Sequence, residues 1–187
     1  MPATARMDAG TASQLIPGVR PTSWKGGTMP LDGDFLADQI KRAFRGESWH
    51  GPSVMEVLEG VAAEDAAVHP IAGAHSIWEI VLHMTAGYTL VLGRLRGEDL
   101  QLSPEQEWPP VPEVSSEAWR ESQRTLEQLN WQLQSAVRAF PMERLSQALG
   151  SEYSASTQFS GAPQHDLYHA GQIVVLKKAL SASRGAA

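Results

Sequence analysis

The sequence contains no cysteine. This absence excludes disulfide bonds, thiolate zinc sites, iron–sulfur clusters and a cysteine nucleophile. The chain also lacks a run of 18 apolar residues, so no membrane-spanning helix and no membrane partner are expected. Basic residues are in the minority: 15 Lys and Arg against 21 Asp and Glu give a formal net charge of −6, which argues against a nucleic-acid partner. Any transition-metal site must use histidine, aspartate or glutamate ligands.

Residues 1–30 lack a helical period and contain four prolines and four glycines, so they are predicted to form a disordered tail. They also lack the apolar stretch that a secretory signal needs, and the expected compartment is the cytoplasm. The hydrophobic share of 42% in 187 residues is enough for one core. We expect one folded domain over residues 31–182 and a short C-terminal tail over residues 183–187.

Apolar residues recur at helical spacing from Leu31 onward and predict four long helices with one short extra helix. The first long helix ends at Gly46. Capping boxes open the short helix and the second long helix, where a serine is followed three residues later by a glutamate, at Ser53–Glu56 and Ser76–Glu79. Ser115 can cap the third helix, and the last is predicted over about residues 162–182. No strand pattern is visible, so the chain is predicted to be an all-α four-helix bundle.

Three histidines are candidates for metal binding. His165 and His169 are four residues apart, so both imidazoles lie on one face of the last helix. His83 lies among apolar neighbours in the second long helix. If these two helices pack side by side, three neutral imidazoles can hold a divalent ion and leave positions open for water or substrate. An all-nitrogen set suits Zn, Ni, Cu or Fe.

Each of these residues also has a simpler interpretation. A histidine pair at this spacing is often found on a solvated helix face, and a buried His83 needs only a hydrogen-bond partner. Glu79, one turn before His83, is either a catalytic base or acceptor beside the ligands or only the capping residue of its helix. Other conspicuous side chains are assigned structural roles: core for Trp78, Trp119 and Trp131, the surface for His75, and surface or packing positions for Asp166 and Tyr168.

Three segments of the sequence resemble the DinB-like superfamily of small bacterial metal-binding four-helix bundles, which includes YfiT-like proteins described as metal-dependent hydrolases. One segment resembles the opening of a subgroup, and the other two resemble the signatures of the second and last helices. In order they are Trp49–Ser53, His75–His83 and His165–Ile173. The resemblance covers about residues 31–182.

The resemblance implies an up-down-down-up bundle whose metal ligands are His83, His165 and His169. It places His50 near the site but not among the ligands. The implied cofactor is a divalent transition metal, Zn, Ni, Fe or Mn, and a low-molecular-weight thiol is a candidate cosubstrate. A thiol S-transferase acting on a small-molecule substrate is slightly favoured over a hydrolase, in which Glu79 would be the base. The alternative is a non-catalytic metal- or ligand-binding bundle, and similar bundles are often homodimers.

The sequence departs from similar ones at two positions. Gly87 stands where relatives often carry a large aromatic residue, four residues after His83 and on the same helix face. A missing ring there would enlarge the pocket or let a substrate approach closely. Pro163 lies two residues before His165, where relatives continue a longer helix, so the last helix is expected to start late or to kink.

Overall fold

The computed structural model describes residues 32–46, 48–49 and 51–185, and the regular elements within them are helical. The only strand-like pairing in this part of the chain is an isolated bridge between Ala148 and Ser154. Four helices are long, and three short helices and one 3₁₀ turn (Met142–Arg144) connect them. The helices are α1 Gly33–Phe44, α2 Val54–Leu58, α3 Ala63–Ala67, α4 Ile77–Leu95, α5 Pro104–Glu107, α6 Ser116–Ala139 and α7 Ala155–Gly185.

The long helices form a bundle in which α6 contacts α1 and α4, while α7 contacts the same two helices from the other side. Trp78 near the start of α4 meets Ser122 near the start of α6, and Tyr88 meets Asn130 further along both, so these two helices are parallel. Asp34 of α1 meets Arg138 of α6, so this pair is antiparallel. Contacts between α4 and α7 also run in opposite directions. The predicted up-down-down-up bundle is confirmed.

Local signals in the sequence set the helix starts. The hydroxyl groups of Ser76 and Ser115 each accept a hydrogen bond from the backbone N–H of the residue three positions later in the chain, as the predicted caps require. Glu79 and Glu56 complete the predicted capping boxes by accepting from the backbone N–H groups of their N-cap serines. The short helix α5 has the same device, with Gln106 accepting from the Ser103 N–H, in the segment that joins α4 to α6.

The core is formed by the apolar stripes of the four long helices. Trp78, fully buried, and Trp119, 3% exposed, lie in it as predicted. The prediction for Trp131 was wrong, because this residue is 66% exposed. It lies five residues after the buried Leu126, which turns it about 140° away from the stripe that α6 presents to the core. The buried residues of the α6 stripe are Trp119, Leu126, Leu133 and Val137.

The start of α7 differs from the prediction. The helix begins at Ala155 rather than near residue 162, and it continues through Pro163. Ser154 caps it by accepting a hydrogen bond from the Thr157 N–H. The proline removes one backbone donor. Burial of Ala155 and Phe159 on the turns before Pro163 compensates for this loss. The helix also extends to Gly185, into the segment predicted as a tail.

Among the described residues, no helix combines the length and the apolar character needed to cross a bilayer. The predicted tail over residues 1–30 and the position predicted for His50 lie outside the described residues.

Candidate metal centre

The three candidate histidines come together between α4 and α7. The Nε2 atom of His165 lies 2.9 Å from Nε2 of His83 and 3.0 Å from Nε2 of His169. His83 is 9% exposed, His169 is 3% exposed, and His165 is half-buried at the outer side of the cluster. The structure therefore juxtaposes one nitrogen from each imidazole at a single point.

Hydrogen bonds at the opposite nitrogens fix the orientation of two of these rings. Nδ1 of His83 lies 3.0 Å from the carbonyl oxygen of Glu107, and Nδ1 of His169 lies 2.7 Å from Oε1 of Gln172. Both oxygens are acceptors, so each Nδ1 carries the proton and each Nε2 keeps its lone pair. Acceptors on the far nitrogen are the usual partners of metal-binding histidines because they orient the ring and raise its basicity.

The donor set fits a divalent transition ion. The Nε2 atoms of His83 and His169 both direct a lone pair at Nε2 of His165, which can carry only one proton, so one of the two lone pairs is left without a full hydrogen bond and is available to a cation. The three candidate ligand atoms all lie within 4.8 Å of one another, and no other His, Asp or Glu in the described residues joins the group. A tetrahedral ion with bonds of about 2.0–2.1 Å sets its nitrogen donors about 3.4 Å apart, which requires only a small separation of these rings.

Burial keeps the imidazoles neutral. Desolvation, together with the smaller effects of the neighbouring His169 and His83, lowers the pKa of His165 to about 4. Desolvation also lowers the pKa of His169 to about 4, although its hydrogen bond to Gln172 opposes the shift. The pKa of His83 is lowered by burial against the opposing effect of the Glu107 carbonyl. At neutral pH protons therefore compete weakly for these nitrogens.

Trp108 packs on the cluster, which the sequence did not predict. Its indole ring is parallel to the His83 ring at 3.9 Å between centroids and to the His75 ring at 3.6 Å. Two parallel rings cannot share one face of the indole at these distances, so Trp108 lies between the two histidines. The preceding residue, Glu107, provides the carbonyl oxygen that accepts from Nδ1 of His83. Residues 107 and 108 therefore contact the His83 ring at its edge and at one face.

Glu79 lies in a separate group of side chains. Its carboxylate accepts a hydrogen bond from the Ser76 N–H at 2.7 Å and lies 2.9 Å from Nε2 of His69 and 3.5 Å from Nδ1 of His75. Partial burial alone would raise the pKa of Glu79, but the Ser76 hydrogen bond and the two histidines together lower it. Among the described residues, its hydrogen bonds and ion pairs are all to this group and none to the three-histidine cluster. Its role as a base stays a prediction.

A second feature that the sequence did not reveal is a buried polar chain beside His165. Both carboxyl oxygens of Asp166 lie 2.7 Å from the Tyr88 hydroxyl, which also accepts from Nδ2 of Asn130 at 2.9 Å. Gln134 donates to the Asn130 amide oxygen at the outer end of the chain. Asp166 is completely buried, and desolvation raises its pKa to about 7 despite the hydrogen bond from Tyr88, which lowers it.

Gly87 borders the cluster, as its place one turn after His83 suggested. A β-carbon on this glycine would lie 3.7 Å from Cε1 of His165, an ordinary van der Waals contact. The β-carbon of an aromatic side chain at this position would be in contact with the His165 ring. The glycine thus leaves space beside the more exposed of the three imidazoles.

Comparison with known proteins gives one family. The model of the DinB superfamily matches residues 49–173, which is well over half of the chain and includes all three histidines of the cluster. No curated protein and no solved structure matched the chain. The matched range, the helical bundle and the three juxtaposed imidazoles agree with the resemblance found in the sequence. The protein belongs to the DinB superfamily.

Proposed function

We propose that His83, His165 and His169 bind a divalent transition metal ion and that the protein is a metal-dependent enzyme acting on a small molecule. The observation that carries this proposal is the convergence of three Nε2 atoms whose rings are oriented from behind by Glu107 and Gln172. A bound ion of this kind lowers the pKa of a thiol or a water, which makes either a nucleophile near pH 7. Three protein ligands leave room for such a nucleophile.

The reaction we favour is transfer of a low-molecular-weight thiol to an electrophilic carbon. The thiol loses its proton to solvent, its sulfur bonds to the carbon, and the leaving group departs with the electron pair. Hydrolysis would need a base to take a proton from water. Glu79, the acidic side chain predicted for that task, already accepts from Ser76 and lies beside His69. A thiol is acidic enough to ionise at such a site without a general base.

The protein's own residues would orient the site and limit access to it. Trp108 covers one face of His83 and fixes the plane of that ring. Gln172 holds His169 from the opposite side of the cluster. His165, half-buried beside Gly87, marks the side from which a substrate would approach.

The metal site can be tested by purifying the untagged protein without chelator and measuring bound metals by mass spectrometry. We expect close to one ion per chain in the wild type and loss of it in His83→Ala, His165→Ala and His169→Ala. His69→Ala is the matched control, because His69 is about half exposed and lies outside the cluster. Absence of metal in the wild type, even after incubation with Zn, Ni, Fe or Mn, would overturn the proposal.

The reaction class can be tested on metal-loaded protein. Incubation with a panel of low-molecular-weight thiols and 1-chloro-2,4-dinitrobenzene should consume thiol and release chloride faster than with the His165→Ala variant. Hydrolysis of p-nitrophenyl esters serves as the comparison. Ester hydrolysis without thiol transfer would favour water as the nucleophile. Metal binding without either activity would favour a non-catalytic binding protein.

A further inference from the structure

A buried hydrogen bond beside the candidate metal centre joins α7 to α4. Both carboxyl oxygens of Asp166, the residue after His165, lie 2.7 Å from the hydroxyl oxygen of Tyr88 on α4. Tyr88 also accepts a hydrogen bond from Asn130 of α6 and packs edge-on against Phe44 of α1. The four long helices therefore meet at this one tyrosine.

The apolar residues of α7 do not by themselves select one face of this helix for the core. Ile173 and Leu176 are buried, whereas Tyr168 and Val175 are 65% and 55% exposed. Ile173 and Val175 are two positions apart, which places them about 200° apart around the helix axis. A helix with apolar side chains on opposite sides can be turned about its axis with little loss of buried apolar area.

The Asp166 carboxyl does select one rotation of α7. Among the described residues, Tyr88 is its one hydrogen-bond partner, so turning the helix would leave a buried carboxyl without a partner. Single buried polar groups fix the register of packed helices in the same way. Gln158 and Lys177 of α7 also bind neighbouring segments, but they lie two or more turns away and have longer side chains that can follow a small rotation.

The metal centre is sensitive to the rotation of α7, because this helix carries two of the three histidines. Side-chain tips lie about 5–6 Å from a helix axis, so a rotation of about 20° moves them by about 2 Å. Distances between a metal ion and its ligands tolerate only about 0.2 Å. His165 depends most on the helix, because among the described residues its Nδ1 has no hydrogen-bond acceptor, whereas Nδ1 of His83 and of His169 each have one.

We propose that the hydrogen bond between Asp166 and Tyr88 holds α7 at the rotation that turns His165 and His169 towards His83. Asp166 and Tyr88 are then positioning residues of the metal centre, although neither is a ligand. The consequence for a bound ion rests on the proposed function. The consequence for the arrangement of the three imidazoles does not.

Zinc affinity, measured by competition with a chromophoric chelator, tests the consequence for the ion. Asp166→Leu removes the hydrogen bond with an apolar side chain of similar size, and Asp166→Asn keeps an oxygen that accepts from Tyr88. We expect Asp166→Leu to unfold cooperatively in urea but to bind zinc at least tenfold more weakly than the wild type, and Asp166→Asn to bind within threefold. Gln164→Leu is the matched control, because it places the same side chain at the exposed position before His165 and should leave the affinity unchanged.

NMR of the metal-free protein tests the arrangement of the imidazoles directly. The ring centroids of His83 and His165 are 4.9 Å apart, so a nuclear Overhauser effect between their ring protons is expected in the wild type, Asp166→Asn and Gln164→Leu and should be lost in Asp166→Leu. Absence of metal from the wild type would overturn the proposed function and leave this second test intact.

Two results would overturn the role of the hydrogen bond. One is a folded Asp166→Leu that keeps the Overhauser effect or the zinc affinity of the wild type. The other is failure of both Asp166→Leu and the double variant Tyr88→Phe/Asp166→Leu to fold, because the bond would then be needed for the whole bundle rather than for the rotation of α7.

Discussion

Asp166 is a carboxyl group enclosed by the bundle, and its replacement by asparagine should change how the stability of the protein depends on pH. Burial raises the pKa of Asp166 from 3.8 to about 7 in the folded protein. Between these two pH values the folded chain holds a proton that the unfolded chain has released. The free energy of unfolding contributed by this group is therefore full below pH 4 and is lost as the pH rises towards 7.

The size of the effect follows from the shift. Each pH unit between the two pKa values corresponds to about 1.4 kcal/mol, so a shift of about three units corresponds to about 4 kcal/mol. In Asp166→Asn the amide oxygen can still accept from Tyr88, but the titration is gone. The free energy of unfolding of the variant, relative to that of the wild type, should therefore rise with pH by about 1.4 kcal/mol per unit from pH 4 to pH 7. Above pH 7 this difference should stay constant.

The assay is urea unfolding at pH 4.5, 5.5, 6.5, 7.5 and 8.5, with chelator present so that metal binding does not contribute. Subtracting the two curves removes the contribution of the buried histidines, whose lowered pKa values act in the opposite direction in both proteins. Glu121→Gln removes an exposed carboxylate and is the matched control, expected to differ from the wild type by less than about 0.5 kcal/mol at every pH. Parallel curves for wild type and Asp166→Asn would refute the reasoning.

Three further predictions concern the metal centre. Trp108→Leu should weaken zinc binding about tenfold because the ring that fixes His83 is lost. The control Trp131→Leu changes an exposed tryptophan and should leave zinc affinity unchanged. Competition with a chromophoric chelator measures both affinities. Gln172→Leu should weaken zinc binding 10–100-fold in the same assay, since His169 loses its acceptor. The affinity of the wild type should begin to fall only below pH 6.5, because burial lowers the pKa values of all three histidines, those of His165 and His169 to about 4; a steady decline from pH 7 would contradict it.

The sequence predicted the parts of the site that local patterns encode. The spacing of His165 and His169 fixes a shared helix face without any knowledge of the fold. His83 stood out because a polar ring in an apolar helix needs a partner, and its partner is indeed on α7. The serine caps located the starts of α4 and α6, because a cap and its N–H donor lie within one helical turn.

Features that depend on the path of a loop or on a distant helix were beyond such patterns. Trp108 lies in a proline-rich segment with no periodicity, and only the folded chain shows that it lies between His75 and His83. Asp166 was assigned a surface or packing role, but its hydrogen-bond partner Tyr88 is 78 residues away in sequence. The start of α7 was missed because Pro163 predicts a helix start more strongly than the weakly patterned residues before it, which tertiary packing makes helical.

The origin of the histidines on two helices has a consequence for folding. His83 and His165 are 82 residues apart in the chain, so an ion held by both would act as a cross-link that closes most of the domain into one loop. The isolated helices offer at most the pair on α7, and full affinity arises only after α4 and α7 have docked. Metal at 100 times its dissociation constant would then stabilise the native bundle by about 2.7 kcal/mol. It would do so mainly by slowing unfolding, because the cross-link forms late.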